Sequence, residues 1–138
     1  MTVFSSSDEQ YAVMTPYLEG VITDPELGPK FAKAKTSFKV NYTEPEGHFL
    51  LDCTVDPPAL YTGEEAVARE AEVELEMASD DGHKFWLGKL NIPVALARKK
   101  VVVQGAVTKL MGLLPALSPG FAKYKQHLAD IGRQDLLP

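Results

Sequence analysis

Cysteine is almost missing from this chain: Cys53 is the one thiol among 138 residues. A single thiol excludes an internal disulfide and any cysteine-rich metal site. It suits a reducing compartment. Long hydrophobic runs are absent too. No stretch of about 18 uncharged apolar residues occurs, so no transmembrane span is expected. The N-terminus has neither a basic start nor an apolar run of signal-peptide length, which predicts a cytoplasmic protein. Histidine is scarce, and His48, His83 and His127 stand too far apart for metal-ligand spacing. Gly105 and Gly112 are isolated, so no glycine-rich phosphate loop exists. Repeats and low-complexity tracts are not visible. Ser5-Ser6-Ser7 reads as a terminal cap region, not a nucleophile elbow. No metal, cofactor or catalytic set is therefore expected.

Acidic residues also vanish over part of the chain. Residues 82–129 contain none, against eight bases: Lys84, Lys89, Arg98, Lys99, Lys100, Lys109, Lys123 and Lys125. Residues 1–81 contain 17 acids and 5 bases. Charge segregated in this way bears on partners. Nucleic acid is a poor fit, because the net charge is −5 and no nucleic-acid-binding motif is present.

What is present fits one domain spanning 1–138. Ser6 with Glu9 matches a capping box for a first helix over about 7–22, carrying Tyr11, Met14, Leu18, Val21 and Ile22 at helical spacing. Asp24-Pro25 can start a turn of helix, Gly28-Pro29 interrupts it, and a short helix follows from Pro29 to about Lys35. Residues 36–43 alternate with Phe38, Val40 and Tyr42 on one face. After the turn 44–47, residues 48–55 alternate again, with Phe49, Leu51, Cys53 and Val55 inward. This placement makes Cys53 an inert buried thiol. A short extended piece surrounds Leu60-Tyr61. In 71–78, Val73, Leu75 and Met77 point in while Glu72, Glu74 and Glu76 point out. With Glu64, Glu65 and Glu70 these acids read as a solvated sheet face. Four strands thus precede residue 80, with one wet face and one buried face.

Ser79-Asp80-Asp81 can cap a helix bearing Phe85, Trp86 and Leu87, closed by Gly88. Asn91 can cap another over 92–98. Val101-Val102-Val103 reads as a fifth strand ending near Gly105. An apolar helix is expected over 107–117. Ser118-Pro119 then caps a last helix with Phe121, Tyr124, Leu128 and Ile131 on one stripe. The pattern is a layered α+β arrangement.

Residues 72–117 resemble the sterol carrier protein type 2 family, also called the sterol-binding domain. The features that carry the resemblance run in order. The strand with Val73, Leu75 and Met77 leads into the acidic start Asp80-Asp81. An aromatic helix closes on Gly88-Lys89-Leu90, and a short helix holds Val94-Ala95-Leu96. The basic turn Lys99-Lys100 opens the strand Val101 to Gly105, and an apolar helix, Leu110 to Leu114, follows. Arg98 departs from the small residue often found before the basic turn, Pro115 interrupts the apolar helix, and helix 119–131 extends beyond many members. The resemblance implies a curved, five-stranded, mostly antiparallel sheet with helices on one face around an apolar tunnel. It also implies cofactor-free binding of sterols, fatty acids, acyl-CoAs or phospholipids.

Burying an alkyl chain gains about 0.8 kcal/mol per CH₂, so a carbon-lined tunnel needs no specific polar contacts. The expected lining is Phe85, Trp86, Leu90, Val94, Leu96, Val103, Leu110, Met111, Leu114 and Phe121. The segment 110–117, broken by Gly112 and Pro115, is a candidate lid. Lys89, Arg98, Lys99 and Lys100 are candidates for contacting a headgroup, an anionic membrane surface or a partner enzyme. Three functions follow. One is non-catalytic carriage or presentation of an apolar ligand by a monomer or homodimer. Another is an accessory protein docking to enzymes of hydrophobic intermediates such as prenylated quinones or polyketides. The third is an enzyme using His83, beside Phe85 and Trp86, as its buried titratable group.

Overall fold

The computed structural model describes residues 2–138. Ser6 Oγ accepts the Glu9 N–H at 3.1 Å, and Glu9 Oε1 accepts the Ser5 N–H at 2.6 Å. The capping box thus forms with its return bond shifted by one residue, and it opens α1 (Ser7–Thr23). Asp24 Oδ2 takes the N–H groups of Glu26 and Leu27 at 2.8 and 2.9 Å, starting α2 (Leu27–Ala34). Gly28-Pro29 does not interrupt this helix. It lies in the first turn, where backbone donors have no partner inside the helix and the missing proline N–H costs nothing.

Five strands follow: β1 (Ser37–Thr43), β2 (Gly47–Asp52), β3 (Ala59–Thr62), β4 (Val73–Ala78) and β5 (Val102–Gly105). They form one sheet in the order β3-β2-β1-β4-β5, antiparallel except for the parallel pair β1–β4. The register sets Phe38, Val40 and Tyr42 beside Val73, Leu75 and Met77. One sheet face is therefore continuous apolar surface. Val55 is not part of it. Asp52 Oδ1 accepts the Thr54 N–H at 2.9 Å, the chain turns off the sheet, and Val55 is exposed.

The opposite face is not simply wet. Helix α3 (Glu64–Ala68) packs there, so Glu64 and Glu65 belong to a helix rather than to a sheet face. Lys39 Nζ reaches the Val67 carbonyl and the Glu74 carboxylate, each at 3.4 Å. Lys39, Leu50 and Ala66 are buried beneath or within this cover. Tyr61, half-buried, takes the Arg69 guanidinium over its ring at 3.6 Å.

The apolar face is roofed by α4 (Ser79–Trp86), α5 (Ile92–Ala97), α6 (Val107–Leu113) and α7 (Pro119–Asp130), together with α1 and α2. Ser79 does not cap α4. Its hydroxyl faces the Thr43 and Pro45 carbonyls at 3.1 and 2.7 Å, and Asp80 accepts the Val3 N–H. Asn91 Oδ1 does cap α5, accepting the Val94 N–H at 3.1 Å. The apolar helix expected over 107–117 is divided. α6 ends at Leu113 and residues Leu114–Leu117 tighten into a 3₁₀ turn, because Pro115 has no N–H to continue the α-helical ladder. Ile131 follows the end of α7 and is exposed, off the stripe made by Tyr124 and Leu128.

Inside the helical layer, His83 is buried with both ring nitrogens engaged. Nε2 lies 2.8 Å from the Leu136 carbonyl, and Nδ1 lies 2.7 Å from the Tyr124 hydroxyl. A carbonyl only accepts, so Nε2 carries the proton and Nδ1 accepts from tyrosine. Burial pushes the His83 pKa below the usual imidazole range. The neutral ring thus ties α4 to α7 and to the C-terminal segment.

Two predictions follow from this packing. Gly105 has φ +92°, and a Cβ there would sit 1.9 Å from the Glu72 carbonyl oxygen. Gly105→Ala should cost about 3 kcal/mol in urea unfolding, since both conformation and space forbid the methyl. For His83, the unfolded pKa of about 6.5 exceeds the folded one, so its stabilisation is complete above that pH and is lost as pH falls below it. The urea midpoint should decline as pH falls below about 6.5, and His83→Gln should flatten that part of the profile. An unchanged slope in the variant would assign the decline to other groups.

Candidate ligand cavity

The sheet and its roof do not close completely. Between them lies a void of about 80 Å³. Phe38, Val40, Tyr42, Leu51, Leu75 and Met77 form its sheet wall. Phe31, Phe85, Trp86, Ile92, Leu110, Leu113, Leu114 and Leu117 form its helical wall. The floor follows from period-two alternation and the roof from i, i+3, i+4 spacing. Gly82 lets α4 approach the sheet, since a Cβ there would fall 2.3 Å from the Tyr42 ring. No charged side chain lines the void. Burial holds the Tyr42 phenol well above its ordinary pKa, so it stays neutral. The surface can desolvate hydrocarbon and supplies no charge for chemistry.

Of the residues expected to line a tunnel, Phe85, Trp86, Leu110 and Leu114 meet at this void. The other six lie outside its lining. Met111 is half-buried, one helical step of about 100° away from the face shared by Leu110, Leu113 and Leu114. On α5, Ile92 and Ala95 point inward, which leaves Val94 exposed. Leu90 and Leu96 pack half-buried against the core margin. Val103 pairs with Leu75 but sits on the edge strand and is half-buried. Phe121 stacks edge-on outside Phe85, with ring centres 5.9 Å apart. The lining residues that sequence reasoning missed are the sheet wall, Phe31, Ile92, Leu113 and Leu117. Alternation had placed Phe38, Val40, Tyr42, Leu75 and Met77 inward, but nothing in alternation separates a cavity wall from solid core.

The basic candidates Lys89, Arg98, Lys99 and Lys100 are all exposed, and none lines the void. Three of them form the end of α5. Lys99 N–H bonds to the Leu96 carbonyl and Lys100 N–H to the Ala95 carbonyl. Lys99 takes φ +60°, a position that usually belongs to glycine in this helix ending.

The remaining titratable candidates are occupied elsewhere. His83 does not line the void. His48 contacts Asn41 and Glu46, and His127 contacts the Val13 carbonyl. Among the described residues, no group of three His, Cys, Asp or Glu side chains could hold a metal ion. Burial pushes the Cys53 thiol up to about 12, which leaves it protonated. No helix among the described residues is long and apolar enough to cross a membrane.

No family model and no curated protein sequence matches the chain. Solved structures do. The apo form of sterol carrier protein 2 from Yarrowia lipolytica superposes with a TM-score of 0.62 at 18% identity, covering 84% of this chain and 97% of that one. The sterol carrier protein domain 2 of Helicoverpa armigera gives 0.62 at 18%, covering 81% and 87%. The ubiquinone synthesis protein UbiJ-SCP2 gives 0.56 at 9%, covering 83% and 89%. With its five-stranded mixed sheet, helical roof and carbon-lined void, the chain is an α+β domain with the sterol carrier protein 2 fold.

Proposed function

We propose that this domain binds a lipid-like molecule through its apolar chain and carries or presents it, without catalysing a reaction and without a cofactor. The observation behind this reading is the carbon-lined void between sheet and helices. Each methylene buried there contributes about 0.8 kcal/mol. The void, about 80 Å³, is smaller than the ~300 Å³ at which ligand pockets usually begin. Entry therefore requires the roof to move. The roof's weakest part is the junction of α6 with its 3₁₀ turn, which places Leu113, Leu114 and Leu117 on the void beside a proline that interrupts the helix. Shifting this short segment outward opens the space while the sheet wall stays fixed. Around α5, Lys89 on one side and Arg98, Lys99 and Lys100 on the other flank the exposed Pro93 and Val94 in sequence. Near an anionic bilayer each base contributes about 1 kcal/mol, so this rim suits transient contact with a membrane during loading or delivery.

A second reading has a specific observation in its favour. The fold likeness to UbiJ-SCP2, a ubiquinone synthesis protein, supports an accessory role beside enzymes that act on hydrophobic intermediates. In that case the same rim docks to a partner enzyme.

Native mass spectrometry and organic extraction of the purified protein separate these readings from a solid core. A carrier yields bound lipid, or displaces a fluorescent fatty acid on titration. Leu114→Trp, which fills the void from its roof, should weaken binding at least tenfold while costing about 1–3 kcal/mol of stability. A lipid-free protein with no displacement disposes of the carrier reading. A lipid-free protein that binds a defined enzyme stoichiometrically favours the accessory role.

A further inference from the structure

The sheet ends in two unlike edges. β3 enters from Pro57-Pro58 and touches α1 and α3, with Arg69 lying over Tyr61. Proline, charge and a covering helix are common means of blunting an edge. β5 has none of them. Its residues, Val-Val-Gln-Gly, include no charge and no proline, and Val102, Gln104 and Gly105 are exposed. β4 flanks it on one side only. Antiparallel pairs alternate between residues bonded to the neighbouring strand and residues turned away from it. The Ala106 N–H donates to the Glu72 carbonyl at 3.0 Å, so Val102 and Gln104 face β4 in the same way. The Val103 N–H and C=O and the Gly105 N–H therefore point off the sheet, and none has a partner among the described residues. Charge around this edge is asymmetric. Arg98, Lys99 and Lys100 are exposed just before β5 and form no ion pair among the described residues. At the far end Lys109 is already held by Glu72 at 3.1 Å. Between them, beside Val102, stands the exposed Glu76.

We propose that the β5 edge receives an extended segment of a partner protein as a sixth strand, with β-branched residues in its middle and acidic residues at the end beside Arg98–Lys100. Backbone bonds to Val103 and Gly105 supply affinity, and the end charges fix direction and choice of partner. Glu76 disfavours an acid in the middle of the segment. A second copy of this chain fits less well. Antiparallel pairing of two β5 strands would set each basic turn against the Lys109–Glu72 pair of the other copy, which is already neutralised. The contact is independent of what fills the void, so it serves a carrier and an accessory protein alike.

Selection of phage-displayed random peptides of about eight residues, the length of an ordinary strand, against the immobilised full chain tests the proposal. Enriched peptides should join a run of Val, Ile or Thr to Asp or Glu at one end. Bound to the wild type, such a peptide should slow amide exchange at Val103 and Gly105 by about tenfold or more. Val103→Pro removes an outward N–H and leaves the β4 ladder whole, so it should abolish binding. Arg98→Glu with Lys100→Glu should weaken binding about tenfold, and added salt should weaken it in the wild type. Lys99 is left unchanged in that variant because its φ is +60°. Absence of any enriched peptide overturns the proposal, as does enrichment of peptides without acids. So does binding that survives Val103→Pro. Should that variant fail to fold, exchange protection outside β5, or full affinity in the charge-reversed pair, overturns it instead. Sedimentation showing a wild-type dimer that Val103→Pro dissociates would assign the edge to a second copy and overturn it too.

Discussion

Everything on the cavity side of this protein depends on the register of β1 against β4. Pairing Phe38 with Val73, Val40 with Leu75 and Tyr42 with Met77 assembles one apolar wall from two parallel strands. A slip of one residue would turn Lys39 and Asn41 of β1 toward the apolar side chains of β4. The opposite face fixes the register as firmly. Lys39 is buried there, bonded to Glu74 and to the Val67 carbonyl of α3. A displaced strand would leave that ammonium buried and unpaired, an expensive state. The polar side of the sheet thus specifies where its apolar side lies.

The roof has no comparable constraint over its whole area. Near α1 and α7 the packing is dense: Tyr17, Trp86 and Tyr124 meet edge to face, and Tyr17 Oη donates to the Gly120 carbonyl at 2.7 Å. Near α6 it is thin, because the helix has seven residues before Pro115 forces the tighter turn. Left empty, a void of about 80 Å³ costs about 2 kcal/mol at the ~24 cal/mol per Å³ measured for residual cavities. That cost is small beside the gain from one buried alkyl segment. The same thin corner therefore explains why the empty protein stays folded and why hydrocarbon is a suitable filling.

The fold was legible where a single physical rule governs a segment. Period-two alternation located β1 and β4, and side-chain oxygens at Ser6, Asp24 and Asn91 marked real helix starts. It was illegible where two rules compete. Gly28-Pro29 reads as a break until one knows that Asp24 has already begun the helix, which makes proline harmless there. Glu64 and Glu65 read as a wet face because acids dominate the segment, yet α3 lies over Lys39 through buried Ala66 and the Val67 carbonyl. The cavity itself was half legible. Phe85, Trp86, Leu110 and Leu114 could be named because a helix presents one stripe. Met111 and Val94 failed because neighbours in sequence point 100° apart. The sheet wall was recognised as inward-facing, but sequence carries no record of the distance between two layers, and that distance makes a wall a lining.

Charge follows a similar course. The acid-free stretch 82–129 does not remain wholly uncompensated after folding. Lys109 reaches back to Glu72, and Lys123 to Asp24, so two of its bases are tied to the acidic half. Such exposed pairs add only about 0–1 kcal/mol each, so they contribute little to holding the halves together. Their effect is to narrow the set of free cations. Arg98, Lys99 and Lys100 stay exposed at the end of α5, and Lys30 and Lys33 stay exposed or half-exposed along α2. These bases belong to opposite halves of a sequence whose charge is segregated, so composition alone would have directed attention to the first cluster and away from the second. The fold sets the second on α2, whose Phe31 lines the void.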